Sequence, residues 1–390
     1  MSIQMTDIPN IPFVDLASQQ NRIRADIDKA MARVLDHGRY VMGPEVAELE
    51  AELSKFCGAK HSIGCSSGTD ALAMVLMAKN LRAGQVIFCP SFTFVATAEV
   101  VAWLGAKVCF VDVEPDTFNM DPKALKAAIE TAKANGEDLA GIIVVDLFGL
   151  PADYVSILKI AEENDLWLMS DAAQSFGARY HNAPIGTNGI ATATSFFPAK
   201  PLGAYGDGGA MFTDDDELAE DLRSILFHGK GTSQYDNVRI GMTGRLDTMQ
   251  AAVLLEKLKI FDSEIVERQK VADRYTSGLS DIVTCPHVPE GCQSVWAQYT
   301  TRLPQGLDRD ALQAQLKDKG IPTAVYYAKP LHRQDAYKHN LIAGQTSDGV
   351  LPVTDALSLD VLSLPMHPYL SDDTQDYIIE HIRGAISDLS

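Results

Sequence analysis

The chain reads as an α/β fold with a largely parallel sheet, followed by a smaller α+β region. Three observations predict this. Short apolar, β-branched runs alternate with helical patterns through the first two-thirds of the sequence, as expected for strands joined by crossover helices. At 390 residues the chain is long enough for a large core and, by size, about two domains. Past a long helical stretch at 244–279, the regular alternation gives way to more widely spaced elements.

In order along the chain, candidate strands lie at 61–65, 85–89, 108–113, 140–146, 167–171, 192–197 and 209–213, a set of seven. Helical patterns separate them at 69–80, 96–104, 122–133, 154–164 and 216–227. Right-handed crossovers bring the carboxyl ends of parallel strands to one edge, where such sheets carry their sites. The segment GRLDTMQAAVLLEKLKIFDSEIVERQKVADRYTSGL (244–279) reads as a long helix leaving the sheet. After it come a strand at 295–302, a helix at 309–319, a strand at 323–327 and a closing helix at 373–387. The expected division is a large α/β domain, 1–265, and a small C-terminal α+β domain, 266–390.

Composition narrows the function. Apolar residues make up 46% and charged residues 22%, an ordinary soluble balance. A formal net charge of −19 argues against nucleic acid as a partner but leaves room for one local cationic pocket. No apolar run reaches membrane-spanning length, and the N-terminus MSIQMTDIPNIPFVDL lacks a basic stretch leading into an apolar core. The expectation is a cytoplasmic protein with no membrane partner. The six cysteines (Cys57, Cys65, Cys89, Cys109, Cys285 and Cys292) show no CxxC pairing and read as buried reduced thiols, with no metal site.

Three segments carry chemistry. In LWLMSDAAQSFGA (166–178) an apolar strand ends at Asp171, placing a carboxylate at a strand terminus, where it could cap a helix, pair with a cation or serve a site. In TSFFPAKPLGAYGDGGA (194–210) another strand runs into a Pro/Gly-rich loop holding a lone lysine, Lys200, which by itself could be a solvated surface charge. In HSIGCSSGTDALAMVLMA (61–78) a strand passes through Ser66-Ser67-Gly68-Thr69 directly into an apolar helix. Free N–H groups at a helix start, with a glycine permitting close approach and hydroxyls beside it, suit a phosphate, although Ser67 or Thr69 acting as a plain N-cap would give the same sequence. Neither a GK[ST] Walker ending nor GxGxxG spacing is present, which disfavours a nicotinamide-dependent oxidoreductase.

One cofactor accounts for all three segments. Pyridoxal 5'-phosphate (PLP) needs a lysine for its aldehyde, a carboxylate to keep its ring nitrogen protonated and a cradle for its phosphate. Lys200 could then move a proton between carbon atoms as base and acid. Phe94 in PSFTFVATAEVV (90–101), just past another strand end, is placed either to cover the cofactor's face or to join the core.

The ordered motifs GCSSGTDAL, PSFTFVATAE, DAAQSFGA, SFFPAKPLGAYGDGGA and GRLDTMQAAVL resemble the nucleotide-sugar aminotransferases of the DegT/DnrJ/StrS family, from about Phe13 to LSLPMHPYL (362–370). The resemblance implies PLP-dependent transferase fold type I: a seven-stranded, mostly parallel sheet, a small C-terminal domain and a homodimer with shared active sites. It implies Lys200 as the Schiff-base lysine, Asp171 on the ring nitrogen, Gln174 near the ring hydroxyl, and Gly68, Thr69 and Ser195 at the phosphate. Lys200 sets the chain apart from the family's dehydratase branch, in which histidine stands there. Two departures occur. Where the family has an asparagine that reaches the neighbouring subunit's cofactor phosphate, this chain has Thr243 in GMTGR (241–245), with Arg245 retained. Where a histidine is expected near the sugar stands Tyr326, followed by Tyr327, Ala328, Lys329, Pro330, Leu331 and His332.

KPLGAYGDGGA looks like the family members that aminate sugar C3. The resemblance implies UDP-2-acetamido-2-deoxy-3-oxo-glucuronate as acceptor, L-glutamate as donor and a role in cell-surface polysaccharide biosynthesis. The diphosphate and carboxylate of such a substrate call for cations. Arg245, Lys329, His332 and Arg39 are candidates, each equally readable as a surface charge, with Tyr326 and Tyr327 beside them. The alternatives are a dTDP- or UDP-linked 3- or 4-keto-6-deoxy sugar as substrate, or a non-catalytic PLP-fold regulatory protein. Intact Lys200 and Asp171 argue against the last.

Overall fold

The computed structural model describes residues 11–233, 235–337, 341–342 and 350–389. The elements run α1 (Leu16–His37), α2 (Pro44–Cys57), β1 (His61–Cys65), α3 (Gly68–Ala78), β2 (Val86–Pro90), α4 (Ala96–Trp103), β3 (Lys107–Val111), α5 (Pro122–Ala134), β4 (Leu139–Val145), α6 (Tyr154–Glu163) and β5 (Trp167–Asp171). A short hairpin, β6 (Arg179–Tyr180) and β7 (Ala183–Pro184), precedes β8 (Ala191–Ser195), β9 (Gly209–Thr213), α7 (Asp216–Ile225) and the long α8 (Thr248–Leu279). Then come β10 (Cys292–Gln293), β11 (Tyr299–Arg302), α9 (Arg309–Asp318), β12 (Leu341–Ile342), α10 (Pro352–Asp360), β13 (Val361–Leu364) and α11 (Asp372–Leu389).

The main sheet has the order β1-β9-β8-β5-β4-β2-β3-β12. Every neighbouring pair is parallel except those of β9, which runs antiparallel to both β1 and β8. The seven strands expected from sequence are all present, each within two residues of its expected bounds, and the two-residue β12 extends the edge beyond β3. Their near-continuous apolar runs reflect burial on both faces. Val86 and Phe88 of β2 enter one core and Ile87 and Cys89 the other; Ala210 and Phe212 of β9 alternate with Met211 in the same way. Helices α2, α5, α6 and the first part of α8 cover one face, and α3, α4 and α7 the other.

A separate core gathers Val271, Tyr275 and Leu279 of α8 with Tyr299, Leu312, Leu316, Leu362, Ile378 and Ile382. Helix α8 therefore serves two cores, Leu254, Phe261 and Ile265 packing under the sheet and Val271 onward in the second cluster. The expected division at 265/266 falls within α8 between these two sets, while Ile11 joins the second core and Val295, Leu331 and Leu351 pack with the cores of the sheet.

The C-terminal region departs from expectation in its strands. Segment 323–327 makes a single bridge, Ala324 to Ser363, and the strand that pairs antiparallel with β11 is β13. β11 begins only at Tyr299, after Trp296 adopts a left-handed backbone at φ 52°. Helices α1, α2 and α10 were not anticipated, although Ile23, Ile27, Ala30 and Val34 mark a buried stripe at helical spacing within the polar sequence of α1. All six cysteines are free, four of them buried. No helix among the described residues is long and apolar enough to cross a membrane.

Phe261 of α8 is fully buried and lies parallel to Phe176 with ring centres 6.2 Å apart, while Phe56 of α2 packs at 5.5 Å. Truncating Phe261 to alanine should cost about 3–5 kcal/mol, seen as a clear fall in Tm by thermal denaturation of the apoprotein.

Candidate active site

Three strands of the parallel run deliver a carboxylate to the same edge: Asp112 after β3, Asp146 after β4 and Asp171 closing β5. All three are buried. Asp112 accepts from the backbone N–H groups of Val113 (3.0 Å), Thr354 (2.8 Å) and Val353 (3.0 Å), tying the start of α10 to the sheet. Asp146 accepts from Ala152 N (2.9 Å), Tyr154 Oη (2.8 Å) and Ser175 Oγ (2.7 Å). Asp171 has fewer donors: Thr97 Oγ1 at 2.8 Å on one oxygen and Ala173 N at 3.2 Å on the other. Two donors leave lone pairs of a carboxylate free for a further partner. Burial raises the Asp171 pKa, against the opposing pull of these two donors and of the Lys200 charge.

Lys200 follows β8 in a tightly closed loop. Ala204 N–H donates to Phe196 O at 2.7 Å and Lys200 N–H to Phe197 O at 2.8 Å. A Cβ on Gly203 would lie 2.4 Å from Pro198 O, so the turn requires glycine there. Behind the loop, the buried Lys257 of α8 donates to Gly203 O at 2.6 Å, with its ammonium 4.3 Å from the Tyr205 ring centre. The Lys200 side chain is half-buried, and loss of water pulls its pKa below the usual lysine value against the attraction of Asp171. The structure thus brings the acid and the amine close enough for each to feel the other's charge.

Beside them, β1 turns into α3. Ser67 Oγ caps the helix by accepting from Asp70 N at 3.0 Å. The first N–H groups of a helix, here those of Gly68 and Thr69, have no intrahelical acceptor and remain available to an anion. A Cβ on Gly68 would stand 2.6 Å from Ser195 Cβ, and one on Gly209 would stand 2.6 Å from the Ser67 carbonyl carbon. These glycines let the helix start sit directly against the ends of β8 and β9. Capping and anion binding, the two readings open from sequence, are compatible here, because the cap uses Asp70 N and leaves the earlier N–H groups free.

The remaining candidates fall into two groups. Gln174 lies within the edge, accepting from Phe148 N at 2.7 Å and donating to Tyr327 Oη at 3.3 Å. Phe94 is 56% exposed in the loop before α4. Thr243 is exposed and accepts from Arg245, whose guanidinium lies 4.8 Å from the Phe227 ring centre; Ser66 N–H donates to Gly244 O at 2.9 Å, joining this segment to the β1–α3 turn. Tyr326 packs on Phe13 and on Tyr327. Arg39 and Lys329 are exposed, and among the described residues neither makes a hydrogen bond or ion pair to Asp171, Lys200 or the β1–α3 turn. His332 is enclosed: Nδ1 is 2.7 Å from Ser91 Oγ and Nε2 is 3.2 Å from Asp355, with burial lowering its pKa. Residues that the sequence reading did not single out are Thr97, Asp146, Tyr154, Ser175 and Lys257. Two of them carried a local signal: Asp146 ends the apolar run LAGIIVVD as Asp171 ends its own, and Thr97 is a hydroxyl in the first turn of the helix that follows PSFTF.

Comparison with known proteins agrees with this geometry. The chain is 48% identical to the UDP-2-acetamido-2-deoxy-3-oxo-D-glucuronate aminotransferase of Pseudomonas aeruginosa, over 92% of this chain and 96% of the relative. It superposes with a TM-score of 0.93 on the structure of a DegT DnrJ EryC1 StrS aminotransferase from Brucella abortus, 52% identical and covering 96% of this chain and 99% of that one. The Bacillus subtilis NtdA structure, solved with its cofactor PMP bound, is 28% identical with a TM-score of 0.86, covering 99% of this chain and 87% of its own. The model of the DegT/DnrJ/EryC1/StrS aminotransferase family matches residues 21–383, and the chain belongs to that family.

Proposed function

We propose that the protein is a PLP-dependent aminotransferase that moves an amino group from L-glutamate to C3 of UDP-2-acetamido-2-deoxy-3-oxo-glucuronate, for cell-surface polysaccharide biosynthesis. The observation that carries the chemistry is the convergence of an under-supplied buried carboxylate (Asp171), an amine of lowered pKa (Lys200) and an open helix start (Gly68, Thr69) on one sheet edge. These groups fit PLP feature by feature: ring nitrogen, aldehyde and phosphate. The close approach made possible by Gly68 and Gly209 fits a cradle that a Cβ would fill. Bound PLP supplies the electron sink that stabilises a substrate carbanion.

In this reading Asp171 holds the ring nitrogen protonated, and Thr97 holds the Asp171 carboxylate in place. Lys200 would hold the cofactor at its aldehyde end and would carry a proton as base and then acid, a task its lowered pKa suits. Ser67, Gly68, Thr69 and Ser195 receive the phosphate, Gln174 lies by the ring hydroxyl and Phe94 covers a face. Arg245, Lys329 and Arg39 supply positive charge for the substrate, with Tyr326 and Tyr327 lining the approach. His332, enclosed by Ser91 and Asp355, acts by holding the turn after Lys329.

A homodimer with shared sites belongs to the same proposal, with Thr243 serving the neighbouring subunit. It is supported by exposed apolar side chains at Tyr40, Val41, Met42, Phe94, Phe197, Val238 and Ile240. The choice of sugar is supported by the 48% identity to the Pseudomonas relative. A cytoplasmic location accords with the absence of a membrane-length apolar helix among the described residues.

Purified protein should show a visible band near about 410–430 nm that collapses on adding glutamate. The Lys200→Ala protein should lack that band and fail to turn over. A wild type that cannot be loaded with PLP would sink the assignment, and assays with UDP- and dTDP-linked keto sugars would separate the proposed acceptor from keto-6-deoxy sugars. PLP uptake by the apoprotein should also depend on pH. Only the neutral amine attacks the aldehyde, and Lys200 sits below the ordinary value of 10.5. The uptake rate should therefore rise with pH through a midpoint lower than that, measured by stopped-flow absorbance.

A further inference from the structure

We propose that Asp146 is a positioning residue for the cofactor ring, its buried carboxylate setting the turn that presents Asp171 and Gln174. The proposal rests on the assignment of Asp171 to the ring nitrogen. Asp146 is completely buried at the end of β4, and its partners come from two separate stretches of chain. One oxygen accepts from Ala152 N at 2.9 Å and Tyr154 Oη at 2.8 Å, holding the stretch 147–154. The other accepts from Ser175 Oγ at 2.7 Å, holding the turn that follows β5. The backbone N–H of Asp146 donates to Asp171 O at 3.1 Å, so the same residue also secures the main chain of the proposed ring partner.

Gln174 lies between the two stretches. It belongs to the turn held through Ser175, and its side-chain oxygen accepts from Phe148 N at 2.7 Å in the stretch held through Ala152 and Tyr154. Phe148 has a left-handed backbone (φ 58°), a conformation that surrounding contacts must maintain; Asn119 Oδ1 helps by accepting from Leu147 N at 2.9 Å. Moving the Asp146 carboxylate would therefore disturb both sides of the Gln174 hydrogen bond at once.

The residue also acts through its charge. The groups facing it are Tyr154, Ser175 and the Ala152 N–H, with Ser170 behind Tyr154 at 2.6 Å, the Asp171 carboxylate beyond and the half-buried Cys292 thiol of β10 near enough to feel its charge; among the described residues no basic side chain donates to it. Burial, with a contribution from Asp171, pushes its pKa up to about 7 although three donors oppose the shift. When ionised, Asp146 adds negative potential behind Asp171 and favours the protonated, cationic form of whatever Asp171 holds. A brace without charge could tie the two stretches together, but it would not do this.

The test compares wild type, D146N, S175A and D171N. It reads PLP affinity by titrating the apoproteins, the pH midpoint of the visible band in the loaded proteins, and the Tm of each apoprotein. D146N keeps size and shape but loses the charge and presents an amide to Ser175. It is expected to weaken PLP binding about tenfold, the effect of about 1.4 kcal/mol. It should also lower the midpoint by about half a unit, because a lost negative charge disfavours the protonated form. S175A, which removes one contact and keeps the charge, should weaken PLP by a smaller factor and leave the midpoint in place. The proposal is overturned if D146N lowers Tm yet keeps wild-type affinity and midpoint while D171N shifts both. If D171N also shifts neither, the assignment of Asp171 fails first and takes this proposal with it. Should D146N not fold, S175A decides: wild-type PLP affinity in that variant overturns the proposal.

Discussion

Carboxylates at the ends of strands buried on both faces lose their water, and the surrounding chain must supply donors in its place. That constraint organises the whole carboxyl edge of this sheet. Asp112 is satisfied by the opening N–H groups of α10, so the C-terminal part of the chain is drawn onto the sheet. Asp146 is satisfied by two stretches that would otherwise be loose loops. Asp171 is left short of donors, with Thr97 and Ala173 alone among the described residues. The acid with the fewest donors of the three is the one that feels the charge of Lys200.

The lysine is presented by equally specific means. Gly203 permits a turn that no side chain could, and Lys257 reaches from α8 to its carbonyl. Burial brings Lys257 down to about 8, still above neutral pH, so its bond to Gly203 is charge-assisted under ordinary conditions. On the other side, Gly68 and Gly209 bring the start of α3 against β8 and β9 with no side chain between. Acid, amine and open helix start are thus fixed by backbone geometry more than by long flexible side chains.

Much of this was legible in the sequence where the signal was local. Apolar runs ending at Asp171 and ahead of Lys200, and a strand entering a helix through Ser67-Gly68, mark all three components as lying at strand ends. What escaped depends on distant chain. Thr97 meets Asp171 across 74 positions and Lys257 meets Gly203 across 54, and no window of sequence shows such pairs. The strand expected at 323–327 failed because the main-chain partner of β11 is β13, further along the chain. Helices α1 and α2 were missed because their apolar stripes are thin and much of their surface is polar. Arg39 and Lys329 matched the charge a substrate needs, but charge alone says nothing of direction, and both lie exposed.

Helix α8 spans 32 residues, a rod of about 48 Å. Its first half lies under the sheet and its second half forms part of the C-terminal core. In evolutionary terms this makes the two bodies a single heritable unit. An exchange that imported a new C-terminal body from another lineage would have to preserve the rotational phase of the helix, so that Phe261 and Ile265 still met one core while Val271 and Tyr275 met the other. Insertion or loss of one residue between them would turn the downstream face by about 100°, so a change of length that a loop could absorb would break one core or the other at this joint.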